Sequence, residues 1–155
     1  MNIYRLIASL ALCFFVAFAG SMVTMPAIEG WYAGLNKPFF NPPNWVFGPV
    51  WSILYALMGI SFYIVWNKGL SWKKEKHAIL GFFAQLFLNF FWSFMFFGLE
   101  QPFVACFVIV ALWLAIFYTF MKFKKISKTA AYLLIPYLAW VGFASFLNLF
   151  IVTLN

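Results

Sequence analysis

FVACFVIVALWLAIFYTFM, from Phe103 to Met121, is a run of nineteen residues without one charged side chain. About 20 helical residues cross the hydrocarbon core of a bilayer, so this run reads as a transmembrane helix. Four more stretches read the same way: about Ile3–Met25, Trp45–Trp66, Ala78–Gly98 and Ala130–Leu154. The first is expected to stop before Pro26. The sequence therefore predicts an all-α membrane protein, a single five-transmembrane-helix bundle spanning residues 1–155.

Composition agrees. The 155 residues are 66% hydrophobic and 8% charged, with a mean hydropathy of +0.96. A soluble domain carries about 25% charged residues, and so few charges cannot coat a globule of this size with a water-compatible surface. The first span could also serve as a signal peptide, with Arg5 as its basic end and Ala17-Phe18-Ala19 as a cleavage-like site. Its apolar run continues well past Ala19, which argues for a retained helix.

The basic residues set an orientation. Five spans put Arg5, Lys68, Lys73, Lys74, Lys76, Lys122, Lys124, Lys125 and Lys128 on one side, and only Lys37 on the other, beside Glu29 and Glu100. Basic loops stay cytoplasmic. The expected topology is N-terminus inside and C-terminus outside. The net charge of +7 is thereby accounted for by short loops, and no nucleic-acid partner is expected.

Conventional catalytic chemistry is missing. The chain has no Asp, its three acids (Glu29, Glu75, Glu100) fall in predicted loops, and its one His, His77, sits in the basic stretch Lys73–His77. No nucleophile triad, carboxylate pair, phosphate loop or metal cluster can be assembled. No charge lies in mid-membrane, where an ion-coupled carrier would place one, and no inverted repeat is visible. Cys13 and Cys106 lie within apolar spans and read as small core residues, with no disulfide and no metal site expected.

The remaining polarity is amides, hydroxyls and indoles, and it is patterned. Gln85, Asn89, Trp92 and Phe96 share one face of the third span; Tyr137, Trp140, Ala144 and Asn148 share one face of the fifth; Trp51, Tyr55, Met58 and Phe62 share one face of the second. Polar groups in a bilayer turn inward, because an unmet group in hydrocarbon costs several kcal/mol. These faces therefore look into the bundle, either as helix–helix hydrogen bonds or as the wall of an aromatic cavity. Asn148 reads mostly as helix packing. Between Pro26 and Trp45 the first loop is rich in proline and aromatic residues, and it reads either as a lid or as an interfacial connector.

Three segments carry a resemblance: WYAGLNKPFFNPPNWVFGPVWSILYALMG (Trp31–Gly59), GFFAQLFLNFFWSFMFFG (Gly81–Gly98) and LIPYLAWVGFASFLN (Leu134–Asn148). In order and spacing they resemble the translocator protein family, also called the tryptophan-rich sensory protein or peripheral benzodiazepine receptor family. The resemblance implies a bundle that binds porphyrins, notably protoporphyrin IX, and benzodiazepine or isoquinoline carboxamide drugs under the first loop. It implies pocket residues Tyr32, Pro42, Trp51, Tyr55, Asn89, Phe90, Trp140 and Ala144, with Trp51 and Trp140 linked to porphyrin handling. Carboxylates of a porphyrin would lie toward the pocket mouth, near Lys37. Family resemblance also admits light-dependent oxidative breakdown of protoporphyrin IX, with Trp51 and Trp140 as the candidate catalytic residues, and tetrapyrrole transport. No resident cofactor is expected; protoporphyrin IX would be ligand or substrate. The expected partners are the lipid bilayer and a second copy, with Ala111-x-x-x-Ala115 and Ala17-x-x-x-Ser21 permitting close helix packing. Animal members carry a cholesterol motif with Tyr and a basic residue after the last Leu-Asn pair. Here the tail reads LNLFIVTLN, so cholesterol is not expected and the type is bacterial, in the plasma membrane.

Overall fold

A computed structural model describes all residues, Met1–Asn155. It is all helical: α1 Ile3–Glu29, α2 Asn44–Asn67, α3 Trp72–Ser93, α4 Pro102–Ile126, α5 Lys128–Tyr132 and α6 Ile135–Leu154. A π-helical turn, Phe94–Gly98, extends α3, and a short 3₁₀ turn, Tyr32–Gly34, lies in the first loop. α5 and α6 follow one another through Leu133 and Leu134 and together make the fifth span. Five spans are long and apolar enough to cross a membrane, as the hydropathy predicts.

Three boundaries differ from expectation, the simplest being α4, which runs to Ile126, five residues past the expected Met121. α1 does not stop before Pro26 but runs through it to Glu29. Proline removes one helical donor, yet Ile28 beyond it packs on the core and holds the last turn in place. The first loop is correspondingly shorter. α3 begins at Trp72, six residues before the expected Ala78, with a break in helical geometry at Glu75. There the Glu75 carboxylate reaches back to accept from the Ser71 N–H at 2.7 Å, which satisfies one of the orphan donors of a helix start.

Small residues set the helix spacing. A Cβ added at Gly59 of α2 would lie 3.1 Å from the Leu10 Cα of α1, so these two backbones cross closely. At Gly81 of α3 it would lie 2.9 Å from the Thr119 hydroxyl and the Tyr118 ring of α4. Near the basic end, the Arg5 guanidinium donates to the Trp66 carbonyl at 3.0 Å and lies over the Trp66 ring. It adds a second donor to a carbonyl in the last turn of α2 that also accepts from the Gly69 N–H at 3.1 Å, at a helix C-terminus where a cation is favoured. The aromatic core fills the same half of the bundle, with Phe82 stacked between Phe62 and Phe123. The other half, toward the first loop, is built differently.

Candidate functional site

The bundle is hollow near the first loop. A cavity of about 560 Å³ lies between α1, α2, α3 with its π-helical turn, and α6. Tyr32 of the first loop closes over it. The volume falls within the range of about 300–1,000 Å³ typical of small-molecule sites.

Six of the eight expected pocket residues meet at this cavity: Tyr32, Trp51, Tyr55, Asn89, Trp140 and Ala144. The other two lie outside its wall. Phe90 is half-buried on an adjacent face of α3, stacked on Phe94 at 6.3 Å. It stands one residue, about 100° of helical rotation, from Asn89, so the two cannot share an aspect. Pro42 is half-buried in the loop, where its carbonyl accepts from the Asn41 amide.

The cavity floor is a hydrogen-bonded chain through three helices. Tyr55 of α2 donates its hydroxyl to the Asn89 carbonyl oxygen of α3 at 2.7 Å, and the Asn89 amide donates to the Tyr137 hydroxyl of α6 at 2.6 Å. All three residues are buried. Above it, Trp51 lies 5.8 Å from the Tyr55 ring and 6.3 Å edge-on from Tyr137. Trp140 lies edge-on to Phe47 at 6.1 Å.

Tryptophan indoles divide into two groups. Trp92 spends its N–H on the Asn148 side-chain oxygen at 3.0 Å, and Trp113 spends its own on the Leu138 carbonyl at 3.1 Å. Trp51 and Trp140 meet no protein acceptor, and both line the cavity. The wall thus presents these two indole N–H groups, with that of Trp45 on its exposed rim, among mainly apolar side chains, an arrangement suited to a flat molecule with a few acceptors.

Asn148 has both of its expected characters. Its amide ties α6 to α4 by donating to the Pro102 carbonyl at 2.8 Å and to Cys106 Sγ at 3.2 Å, while the residue also borders the cavity. Gln85, on the same face of α3 as Asn89, is buried as expected but has no partner for either amide atom.

The π-helical turn supports the loop. It presents Phe96 and Phe97, which pack against Trp31 and Tyr32 at 5.6–6.3 Å. Such turns often occur at functional sites. The Tyr32 hydroxyl donates to Asn41 at 3.0 Å. Burial raises its pKa above the ordinary value, and the bond to Asn41 opposes that in part. Lys37 is not in the cavity wall. Its ammonium folds back over the Tyr32 ring at 4.7 Å and donates to the Ala33 and Leu35 carbonyls.

Sequence periodicity missed the α1 contribution, Phe14, Phe18, Thr24 and Met25 among others. Their polarity is confined to the Ser21 and Thr24 hydroxyls, too little to separate a cavity-facing side from a lipid-facing one by period.

Known proteins resemble this chain along its length. The model of the TspO/MBR family matches residues 9–154. The Tryptophan-rich protein TspO of Archaeoglobus fulgidus is 47% identical over 155 residues, covering 100% of this chain and 99% of that protein. The Translocator protein of Homo sapiens is 44% identical over 132 residues, covering 84% and 78%. The Tryptophan-rich sensory protein of Cereibacter sphaeroides is 34% identical over 144 residues, covering 91% and 89%. With an all-helical five-span fold and a family match across nearly its whole length, the chain belongs to the TspO/MBR family.

Proposed function

We propose that this chain is a membrane receptor that holds a flat, largely apolar ligand in the cavity beneath the first loop. Protoporphyrin IX and benzodiazepine or isoquinoline carboxamide compounds are the ligand classes. The observation that carries this reading is the pair of unpartnered indole N–H groups, Trp51 and Trp140, set in an aromatic enclosure of about 560 Å³. Ring stacking against such walls adds about 0.5–1.5 kcal/mol per aromatic pair beyond area burial. The porphyrin carboxylates would lie toward the loop, and Lys37 would have to leave the Tyr32 ring to meet them. We place the chain in a bacterial plasma membrane with its basic loops cytoplasmic, and we expect a homodimer.

Fluorescence titration of the purified chain with protoporphyrin IX tests the reading. Saturable binding that an isoquinoline carboxamide displaces, and that weakens in Trp51→Phe and Trp140→Phe, is the expected result. Non-saturable partitioning, equal in both variants, would remove the cavity from consideration. Because the same two indoles would face the bound ring, illumination of the complex in air separates a receptor from an enzyme. A new coloured product that needs Trp51 or Trp140 would mark oxidative breakdown of the ligand, with dioxygen as the oxidant.

A further inference from the structure

The cavity has an open side, and that side faces the place where lipid would be. α1 and α2 run antiparallel and are pinned together toward the basic end. Arg5 donates to the Trp66 carbonyl there, and Gly59 lets the α2 backbone pass against Leu10. Continuing that antiparallel register toward the loop brings Ala17 level with Ser52, Ser21 with Gly48, and Thr24 with Trp45. All six line the cavity. The four nearest the crossing are small, and a Cβ added at Gly48 would meet nothing within 4 Å. The helices that touch at Gly59 therefore leave a gap about two to four turns further on.

The rim of that gap is exposed on its outer side. Phe18, Met25 and Trp45 are 63%, 67% and 75% exposed, yet each also borders the cavity. A residue can do both only where the cavity wall is interrupted. Two of the three hydroxyls at the gap are met, and that of Thr24 stands at its loop end. Ser52 donates to the Gly48 carbonyl at 2.9 Å and Ser21 to the Phe18 carbonyl at 2.7 Å, so both hydroxyls are satisfied within their own helices. Hydrocarbon could fill such an opening without leaving these hydroxyls unpaired.

The route past the loop is tied instead. The Asn36 N–H donates to the Asn155 side-chain oxygen at 3.0 Å, and the Asn155 amide returns to the Asn36 carbonyl at 2.8 Å. The Asn36 amide adds a third bond, to the Leu154 carbonyl at 3.4 Å. We infer that the cavity is loaded and emptied sideways, through a window between the loop-side halves of α1 and α2, by ligand dissolved in the bilayer. The inference rests on the ligand-cavity reading above and extends it to the route: the ligand class is molecules that partition into membranes before they bind.

Release kinetics test the window. The chain in nanodiscs is loaded with protoporphyrin IX and mixed with excess empty nanodiscs, and transfer is followed by fluorescence. Ser52→Trp and Gly48→Leu narrow the window; Gly48→Leu projects into open space and so spares the fold. Both are expected to slow release about tenfold, as an exit barrier raised by about 1.4 kcal/mol would. Asn155→Ala, which removes the side chain that makes both bonds to the Asn36 backbone and so loosens the loop, should leave release unchanged. The direction is diagnostic, because a variant that merely damages the site releases ligand faster. Unchanged or faster release in both window variants, or faster release in Asn155→Ala, would overturn the lateral route while leaving the cavity as the site. Absence of saturable binding by the unmodified chain would overturn the porphyrin reading itself, and this route with it.

Discussion

Replacing Asn89 with Leu removes the one residue that joins α2, α3 and α6 at the cavity floor. Two hydrogen bonds go, from the Tyr55 hydroxyl at 2.7 Å and to the Tyr137 hydroxyl at 2.6 Å. An interhelical bond in a membrane protein contributes about 0.6 kcal/mol on average and up to about 1.7. The larger loss is the orphaned donor. Tyr55 is 5% exposed and keeps an O–H with no acceptor, at a cost of about 1–3 kcal/mol. The total is about 2–4 kcal/mol, or about 5–15 °C in melting temperature for a chain of this length. Thermal unfolding in detergent, followed by tryptophan emission, is the assay. The double variant Asn89→Leu with Tyr55→Phe should melt no lower than Asn89→Leu alone, because deleting the orphaned hydroxyl removes its penalty. A single variant that melts within about 2 °C of the parent, or a double variant in which the two losses simply add, would refute the network.

Other perturbations have equally definite outcomes. Ala144→Phe should abolish binding of drug-like ligands with nearly unchanged melting, since the side chain borders the cavity; a melting loss equivalent to about 1–3 kcal/mol would instead mark a tight helix contact. Gly59→Ala should destabilise by about 1–3 kcal/mol, because its Cβ would press on the Leu10 backbone, and unaltered melting would contradict the close α1–α2 crossing. Tyr32 has a pKa raised above 10.0 in the folded chain, first by burial. Folding thus favours its protonated form: that contribution is complete below pH 10 and is lost as pH rises through the raised value. The stability difference between the parent and Tyr32→Phe should hold steady through neutral pH and shift against the parent above pH 10, and a difference independent of pH would exclude Tyr32 burial as its source. Cysteines placed at Lys74 and Lys125 should label only from the cytoplasm and one at Asn155 only from outside, the reverse pattern inverting the proposed topology.

The fold was legible because each span is apolar for its full length and the basic loops alternate. The inward faces were legible because Gln85, Asn89 and Trp92 repeat at helical spacing, and the structure buries all three. What pairs with what was not. Trp92 with Asn148, and Asn89 with both Tyr55 and Tyr137, are meetings of different helices, and period within one helix is silent about its neighbours. The extension of α1 through Pro26 reflects packing that overrides a local preference. The π-helical turn at Phe94–Gly98 has no sequence signal distinct from the helix before it, although it is what brings Phe96 and Phe97 to the loop. Phe90 and Pro42 entered through motif matching, which carries residue identity but not side-chain direction.

Whether the hollow beneath the first loop is the ligand site is decided by a crystal structure of the chain with protoporphyrin IX. The macrocycle is expected between α1, α2, α3 and α6, against Trp51 and Trp140, with the Tyr55–Asn89–Tyr137 chain intact beneath it. A macrocycle seated on the lipid-facing surface, or against the lysines at the basic end, with the hollow unfilled, would contradict it.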